Sequence, residues 1–435
     1  MARKWRNGAE AGSYRPRVVV VGAGFAGLAT VGRLTRAGLA VTLVDRNVYS
    51  TFQPLLYQVA TGGLNPSDVA YPLRGFARKY GARFRRGELS GIDPAARRIT
   101  FTDGGELVYD YLVLATGVSA GYYGVTGAAT HSFGLYTRHD AIRLRDHLTA
   151  CVERLSATGD SQDLNITVVG GGATGVELAG TLAELRSIAL PSSYPDIDSA
   201  RIHITLVEQA SALLAPFHPA LREYARQQLQ GRQVDIRLDT TIREITADKV
   251  VLADGEELAS DLTVWGAGVS APESAGQWGL PQGRAGRITT GADLLVTGHE
   301  HIFAVGDIAL IEGQSVPQLA QPGLQMGRHA ARQIRRLAAG RPTVPFSYHD
   351  KGIMATIGRR SAVVQLPYHV RVRGTLAWLA WLALHLVTLL GNRNRISALI
   401  NLSYRYLTWG HGGGIITGDD PPMPARADRS PDTRG

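Results

Sequence analysis

Apolar residues fall into short runs that end at glycine, and the arrangement recurs along the chain. Arg17 to Val21 leads into Gly22-Ala23-Gly24-Phe25-Ala26-Gly27, a helical stretch follows to Ala37, and Leu39 to Val44 is a second run ending at Asp45. This order predicts strand, glycine turn, helix, strand and acid. The first glycine allows the tight turn, the second lets a pyrophosphate approach the backbone, and the third lets helix pack on strand. A pyrophosphate then sits at a helix N-terminus, where free N–H groups and the dipole favour negative charge. Asp45 is placed to accept hydrogen bonds from a ribose.

The unit recurs. Asn165 to Val169 leads into Gly170-Gly171-Gly172-Ala173-Thr174-Gly175, a helix to about Arg186, a Pro- and Ser-rich loop over Leu190 to Ala200, and a strand Ile202–Val207 ending at Glu208. Two hairpin turns repeat as well, Asp103-Gly104 and Asp254-Gly255. Each runs on to a buried strand, Tyr111–Leu114 or Leu262–Trp265. Each strand closes on small residues, Ala115-Thr116-Gly117 or Gly266-Ala267-Gly268. Asp103 and Asp254, Asp110 and Asp261, and Gly117 and Gly268 are separated by one constant interval. One GxGxxG motif is weak evidence; two in matching strand–helix context imply two copies of one α/β dinucleotide-binding fold.

Composition narrows the class. The chain has 435 residues, 44% hydrophobic and 19% charged, which is ordinary for globular domains and long enough for two or three of them. A net charge of +9 favours an anionic partner, nucleic acid or a membrane face. No zinc-finger spacing or RNA-binding aromatic signature accompanies the charge, so the membrane is the expected partner and nucleic acid is not. Cys151 is the one cysteine, which excludes an internal disulfide and a CxxC redox pair; a small side chain on a helix is its expected role. Residues 1–17 are basic and lack an apolar core of signal-peptide length, so the bulk of the protein is expected in the cytoplasm.

The two copies resemble the glutathione-reductase-like flavoproteins, over about Arg17 to Gly340. The resemblance implies FAD in the first site and NAD(P)H in the second. It also implies a later Gly-Asp whose carboxylate holds the flavin ribityl chain; Ile302-Phe303-Ala304-Val305-Gly306-Asp307 fits. Glu208 is followed by Gln209 and Ala210 with no arginine to receive a 2′-phosphate, which favours NADH over NADPH. After Asp45 the chain reads Arg46-Asn47-Val48-Tyr49-Ser50-Thr51-Phe52, with no cysteine for disulfide or sulfide chemistry.

Three further stretches resemble the type II NADH:quinone oxidoreductases: Phe52-Gln53-Pro54-Leu55-Leu56-Tyr57-Gln58-Val59-Ala60-Thr61-Gly62, Leu319-Ala320-Gln321-Pro322-Gly323-Leu324-Gln325-Met326-Gly327, and Tyr348 to Gly358. The likeness then reaches about Trp409. Gln321 and Gln325 match the family's quinone motif, although Met326-Gly327 stands where many members carry a polar residue. Their spacing puts both on one helix face. Pro322 is expected at the first helical position. Such a helix start, aimed at a reduced flavin, would stabilise its negative charge by up to ~2 kcal/mol. Lys351 is read as a cation near the reduced quinone, or as a solvated loop lysine. Glu177 caps its helix or, by the family likeness, stands near the nicotinamide and flavin.

Thr375 to Leu390 is almost wholly apolar yet too short to span a bilayer, and His385 lies inside it. Trp378, Trp381, His385 and Thr388 form a stripe at helical spacing, and tryptophan suits the headgroup layer. Ile396 to Trp409 is a second candidate helix, with Ile396, Leu399, Ile400, Ser403 and Leu407 on one face. An interfacial helix pair is expected, whose burial is worth on the order of 10 kcal/mol at most. A buried helix hairpin or a dimer interface is the other reading.

The expected architecture is therefore α/β. It has a flexible terminus (1–15), an FAD-binding domain in two parts (16–160 and 291–345) and an NADH-binding domain (161–290). A quinone, membrane and dimer segment (346–412) and a disordered tail (413–435) follow. Flavin contacts are assigned to Gly22, Gly24, Phe25, Ala26, Gly27, Asp45, Arg46, Ala115, Thr116, Gly117, Gly306, Asp307, Ala320 and Gln321. Those to NADH are assigned to Gly170, Gly172, Ala173, Thr174, Gly175, Glu177, Glu208 and Gly268. Gln321, Gln325, Lys351 and Glu177 are the candidate catalytic residues, and no metal is expected. The resemblance implies a homodimeric, peripheral enzyme on the cytoplasmic face of the cell membrane, moving two electrons from NADH through flavin to quinone without proton pumping. An NADH-dependent reductase of ferredoxin or another protein acceptor and a flavin-bearing redox sensor are the alternatives.

Overall fold

The computed structural model describes residues 15–158 and 162–407. The tail expected over 413–435 and, but for Arg15, the terminus expected over 1–15 lie outside the described residues. Among the described residues the chain forms two compact units: 15–48, Pro72–Gly117 and Pro272–Tyr348 make the first, and Tyr49–Tyr71, Val118–Ala271 and 349–407 the second.

The first unit is built on a five-stranded parallel sheet. Its strands lie in the order Ile302–Ala304, Tyr111–Leu114, Arg17–Val21, Ala40–Asp45, Arg83–Arg86. Val18 pairs with Tyr111 on one side and Val41 on the other. Val18 to Val21 are all buried, as a continuous apolar run requires when a parallel sheet is covered on both faces. The glycine-turn helix Phe25–Arg36 packs on the helix Ala320–Ala338. Gly327 allows the close crossing: a Cβ there would stand 2.1 Å from the Ala26 carbonyl oxygen. Thr30 Oγ1 donates to the Gly327 carbonyl at 3.1 Å, and the Gly306 N–H meets Met326 Sδ at 3.2 Å. Met326-Gly327 thus serves helix packing.

The second unit repeats the plan, with strands Phe133–Gly134, Leu262–Trp265, Leu164–Val169, Ile202–Val207 and Asp235–Arg237 in that order. Each unit also carries a three-stranded antiparallel sheet turning at the expected Asp-Gly: Arg98–Phe101 with Glu106–Val108 in one, Lys249–Leu252 with Glu257–Ala259 in the other. Cys151 is buried on the helix Arg138–Thr158, and burial pushes its thiol up to about 11.

Two local expectations change. The helix Ala173–Glu184 does not give way to a loop at Leu190. It continues through a π turn, Leu185–Ala189, into a helical turn Leu190–Ser193. Pro191 is tolerated because it follows directly on the π turn, where the regular i→i−4 hydrogen-bond ladder is already interrupted. Pro322 occupies the third helical position rather than the first, since the helix begins at Ala320. Its missing N–H still costs nothing there, because the first four helical N–H groups have no intrahelical partner.

The second unit bears the C-terminal part. Strands Ile353–Gly358, Ser361–Gln365 and Arg371–Arg373 form an antiparallel sheet, followed by helices Thr375–Thr388 and Asn392–Leu407. Gly180 lets the first of these strands cross the helix Ala173–Glu184; a Cβ would stand 2.1 Å from the Ile357 carbonyl oxygen. The two tryptophans of the stripe face inward, contrary to a headgroup role, while Thr388 is exposed: Trp378 and Trp381 are buried, Trp381 nearly completely. Leu376, Leu379, Leu384 and Val387 are exposed instead. Ile396, Leu399 and Ile400 are exposed together on the last helix, while Ala398, Leu402 and Tyr406 are buried. Among the described residues no helix is long and apolar enough to cross a membrane.

The last helix is locked by polar contacts to the segment before Tyr71. Buried Asp68 accepts from Ser397 Oγ and Asn401 Nδ2, both at 2.7 Å, and from the Asn65 N–H at 3.0 Å. Asn394 Nδ2 donates to the Ala70 carbonyl at 2.8 Å, and Arg405 Nη1 to Gln58 Oε1 at 2.6 Å.

Candidate functional site

The two glycine turns have almost one geometry. Gly22 has φ 103° and Gly170 φ 104°, a left-handed backbone that suits only glycine. Each donates its N–H to the neighbouring strand, to Val44 and Val207 respectively, at 2.8 Å. The third glycines are closed to any side chain: a Cβ on Gly27 would stand 1.9 Å from the Gly22 carbonyl oxygen, and one on Gly175 1.8 Å from that of Gly170. The middle glycines differ in the opposite sense, because nothing lies within 4 Å of a Cβ placed on Gly24 or Gly172. Open space beside a helix start is what a pyrophosphate needs.

The acids hold these turns. Asp45 accepts from the N–H groups of Ala23 and Asn47, both at 2.8 Å. Burial raises its carboxyl from the ordinary value, against those hydrogen bonds. Glu208 accepts from Gly171 and, at 2.7 Å, from Ala210. Reading a strand-end acid as a ribose partner missed this second task, which depends on contacts across the turn. Arg46 is exposed, with its guanidinium 3.8 Å from Glu88.

In the first unit Gly22 also abuts the strand end, since a Cβ would stand 2.2 Å from the Ala115 carbonyl oxygen. Thr116 Oγ1 is buried with no hydrogen-bond partner. A buried hydroxyl left without a partner is costly, and a polar ligand at this strand end would satisfy it. Phe25, Ala26, Gly117, Gly306 and Asp307 belong to the same unit; Gly306 stands over Ala26, 3.1 Å from Cβ to Cβ were it substituted. Ala320, Gln321 and Gln325 begin the helix Ala320–Ala338, and both glutamines are half-buried. These features fit an FAD site.

In the second unit Gly172, Ala173 and Thr174 are exposed at the helix start, where NADH is expected. Tyr123 lies over Gly268, its hydroxyl donating to the Val269 carbonyl at 3.2 Å. Lys351 is exposed on the loop before the strand Ile353–Gly358. Glu177 does not cap its helix. It lies past the first turn, and its Oε1 accepts the Thr356 N–H at 3.3 Å. Burial pushes its carboxyl up to about 8. Its surroundings include residues that periodicity could not assign. The Tyr57 hydroxyl is buried without a partner and raised well above its ordinary value, first by burial and then by Glu177. Trp381 stacks on His385 at 4.1 Å between ring centroids, with Tyr57 tilted against Trp381 at 6.2 Å. His385 Nδ1 lies 2.7 Å from the Trp381 carbonyl oxygen, and burial lowers the imidazole to about 4, so it is neutral near pH 7. The arrangement sets a neutral acid and a phenol in a dry aromatic wall.

Residues 16–327 match the pyridine nucleotide-disulphide oxidoreductase family. The chain is 35% identical over 422 residues to the type II NADH:quinone oxidoreductase Ndh of Mycobacterium tuberculosis, covering 93% of this chain and 90% of that protein. It is 32% identical over 362 residues to the type II NADH:quinone oxidoreductase of Staphylococcus aureus, covering 80% and 89%. In fold it is similar to NDH2 from Plasmodium falciparum in complex with NADH, with a TM-score of 0.85 at 18% identity, covering 93% of this chain and 100% of that one. The chain belongs to the pyridine nucleotide-disulphide oxidoreductases and, within them, to the type II NADH:quinone oxidoreductases.

Proposed function

We propose that the protein oxidises NADH and reduces a membrane quinone through a bound FAD, without proton pumping. The observation that carries this is the pair of matching glycine turns, each with an open middle glycine and an acid holding its N–H groups, in a chain with no cysteine pair. Bound FAD supplies the chemistry of accepting a hydride and returning electrons in pairs. The chain's residues bind and orient. Gly22, Gly24 and Gly27 with Asp45, Thr116 and Asp307 would hold the flavin nucleotide, and Gly170, Gly172 and Gly175 with Glu208 would hold NADH. Glu177, kept neutral by burial, would hold a proton at its carboxyl. Gln321, Gln325 and Lys351 would orient the quinone oxygens. A protein acceptor such as ferredoxin is not favoured, since the relatives are quinone reductases.

The exposed apolar residues of helices Thr375–Thr388 and Asn392–Leu407 support peripheral attachment to the cytoplasmic membrane face, and the family likeness supports a homodimer. The purified protein should be yellow, bleach anaerobically with NADH and recolour with menaquinone or ubiquinone. Replacing Gln325 should slow the quinone half-reaction more than flavin reduction; equal slowing of both would remove Gln325 from the quinone site. A colourless protein would remove the whole reading.

A further inference from the structure

A cavity of about 540 Å³ opens on the second unit, lined by Glu184, Ser187, Gln228, Arg232, Arg359 and Arg360 among others. It lies where several elements end: the π turn Leu185–Ala189, the C-terminus of helix Pro219–Gln230, and the turn between strands Ile353–Gly358 and Ser361–Gln365. π turns inside helices are frequent at functional sites. The three guanidiniums are not equally engaged. Arg232 is tied down, its Nη1 donating to the Gln228 carbonyl at 2.9 Å and to Gln228 Oε1 at 3.2 Å. The side chains of Arg359 and Arg360 make no hydrogen bond among the described residues. The acid on this wall is turned inward: Glu184 is buried and accepts the Arg359 backbone N–H. Burial raises its carboxyl from the ordinary value, with the arginines acting the other way.

The cavity adjoins the apolar helix. The Arg360 carbonyl accepts from Thr375 Oγ1, in the first residue of that helix, at 3.4 Å. From the cavity wall, Gln228 joins Ser361 Oγ at 3.1 Å, Ser361 joins the Tyr224 hydroxyl at 3.2 Å, and Arg373 lies 5.3 Å over the Tyr224 ring. Leu376 and Leu379, just inside the helix, are 72% and 48% exposed. A positive hollow beside exposed leucines matches a molecule with an anionic phosphate on an apolar body.

We propose that this cavity binds the phosphate headgroup of an anionic phospholipid, with Arg359 and Arg360 as its contacts. The proposal rests on the interfacial reading of the two C-terminal helices, and adds to it a lipid preference that apolar helices alone do not have. Two guanidiniums without hydrogen-bond partners among the described residues fit a phosphodiester. Continuity with the leucine face points to lipid rather than to a free anion.

The test is co-sedimentation of the full-length FAD-loaded protein with vesicles of phosphatidylcholine alone or mixed with phosphatidylglycerol. Wild-type protein should bind both, the mixed vesicles more tightly. The double variant Arg359→Gln, Arg360→Gln should lose about ten- to thirty-fold of the binding to mixed vesicles, at about 1 kcal/mol for each arginine near the surface. It should bind neutral vesicles like wild type and oxidise NADH with a short-chain soluble quinone, which verifies its fold. The charge-matched double variant Arg33→Gln, Arg36→Gln should keep the preference. Equal loss in both double variants would mean diffuse attraction and overturn the site. Wild-type protein that binds neither vesicle would sink the interfacial reading; equal binding to both would sink the headgroup site alone. Stabilisation by inorganic phosphate over chloride at matched ionic strength, with no vesicle preference, would assign the arginines to a free anion and overturn the lipid.

Discussion

The two nucleotide folds are copies in backbone and differ in what has been attached to them. Gly22 and Gly170 share their φ within a degree, and Gly27 and Gly175 are closed by the same carbonyl at nearly the same distance. The glycine-turn helices match position by position, yet where the first has Ala29 the second has buried Glu177. A Cβ on Gly32 of the first helix would meet a tyrosine ring carbon at 3.4 Å, while one on Gly180 of the second would meet a carbonyl oxygen at 2.1 Å. That second glycine is where the C-terminal sheet lies down. A duplicated fold therefore supplies two glycine turns of one geometry, each proposed to cradle a pyrophosphate, and the copies differ by substitutions and additions on the second.

Breaking each cradle separately should give the largest effects. Gly27→Val places atoms where a carbonyl already stands, a cost of about 3 kcal/mol or more, and the protein should purify colourless. Gly175→Val should purify yellow yet be reduced by NADH at least about a hundred-fold more slowly, the same cost read as a rate. If both variants lost flavin equally, the assignment of one nucleotide to each copy would be wrong. The addition that only the second unit carries comes next. Asp68→Ala leaves the donors of Ser397, Asn401 and Asn65 without their shared acceptor, and should destabilise the protein by about 2–3 kcal/mol in urea unfolding. An unchanged midpoint would show that Asp68 is not part of what holds the last helix.

Smaller effects distinguish the acids. Glu208→Gln removes the charge proposed to discriminate against a 2′-phosphate and should narrow the preference for NADH over NADPH about ten-fold, on the order of 1–1.5 kcal/mol; Asp45→Asn should leave that ratio unchanged. Both ratios come from steady-state rates with the two reductants. Glu177 gives a pH signature that Ala29 has no means to give. Burial lifts its carboxyl to about 8, so in neutral solution the folded chain keeps a proton that the unfolded chain has lost. Its stabilisation is complete in acid, below the ordinary carboxylate value, and is lost as pH rises toward and through 8. Wild-type melting temperature should decline over that window, and Glu177→Gln should flatten the decline. A variant whose slope matches wild type would place the titration elsewhere.

Much of this was legible in the sequence because it is local. Strand ends, glycine turns, Asp-Gly hairpins and the strand-end acids depend on residues close along the chain, and they stand where the pattern put them. What escaped depends on partners far away. Glu177 reads equally well as a cap or a site residue until Thr356 arrives to donate its N–H to it, past the helix's first turn. The tryptophans of the apolar helix suit a headgroup layer until Tyr57 and Phe52 are seen packed toward them and His385. The local contact of Asp68, to the Asn65 N–H, gives no sign of Ser397 and Asn401, which lie more than three hundred residues on. Pro191 misled in the other direction: proline punctuates, yet just after a π turn it continues the helix.

The grip of Asp68 on Ser397 and Asn401 has a consequence for how the molecule can be handled. A carboxylate synthesised early must wait, hydrated, until nearly the last described turn of chain emerges to cover it. Cutting away the C-terminal helices to obtain a simpler enzyme would strip that cover, remove Trp381 and His385 and open Gln58, Ala70 and Tyr57 to water. The proposed membrane attachment is better tested by replacing the outward leucines and isoleucines with polar side chains, leaving the inward seam in place.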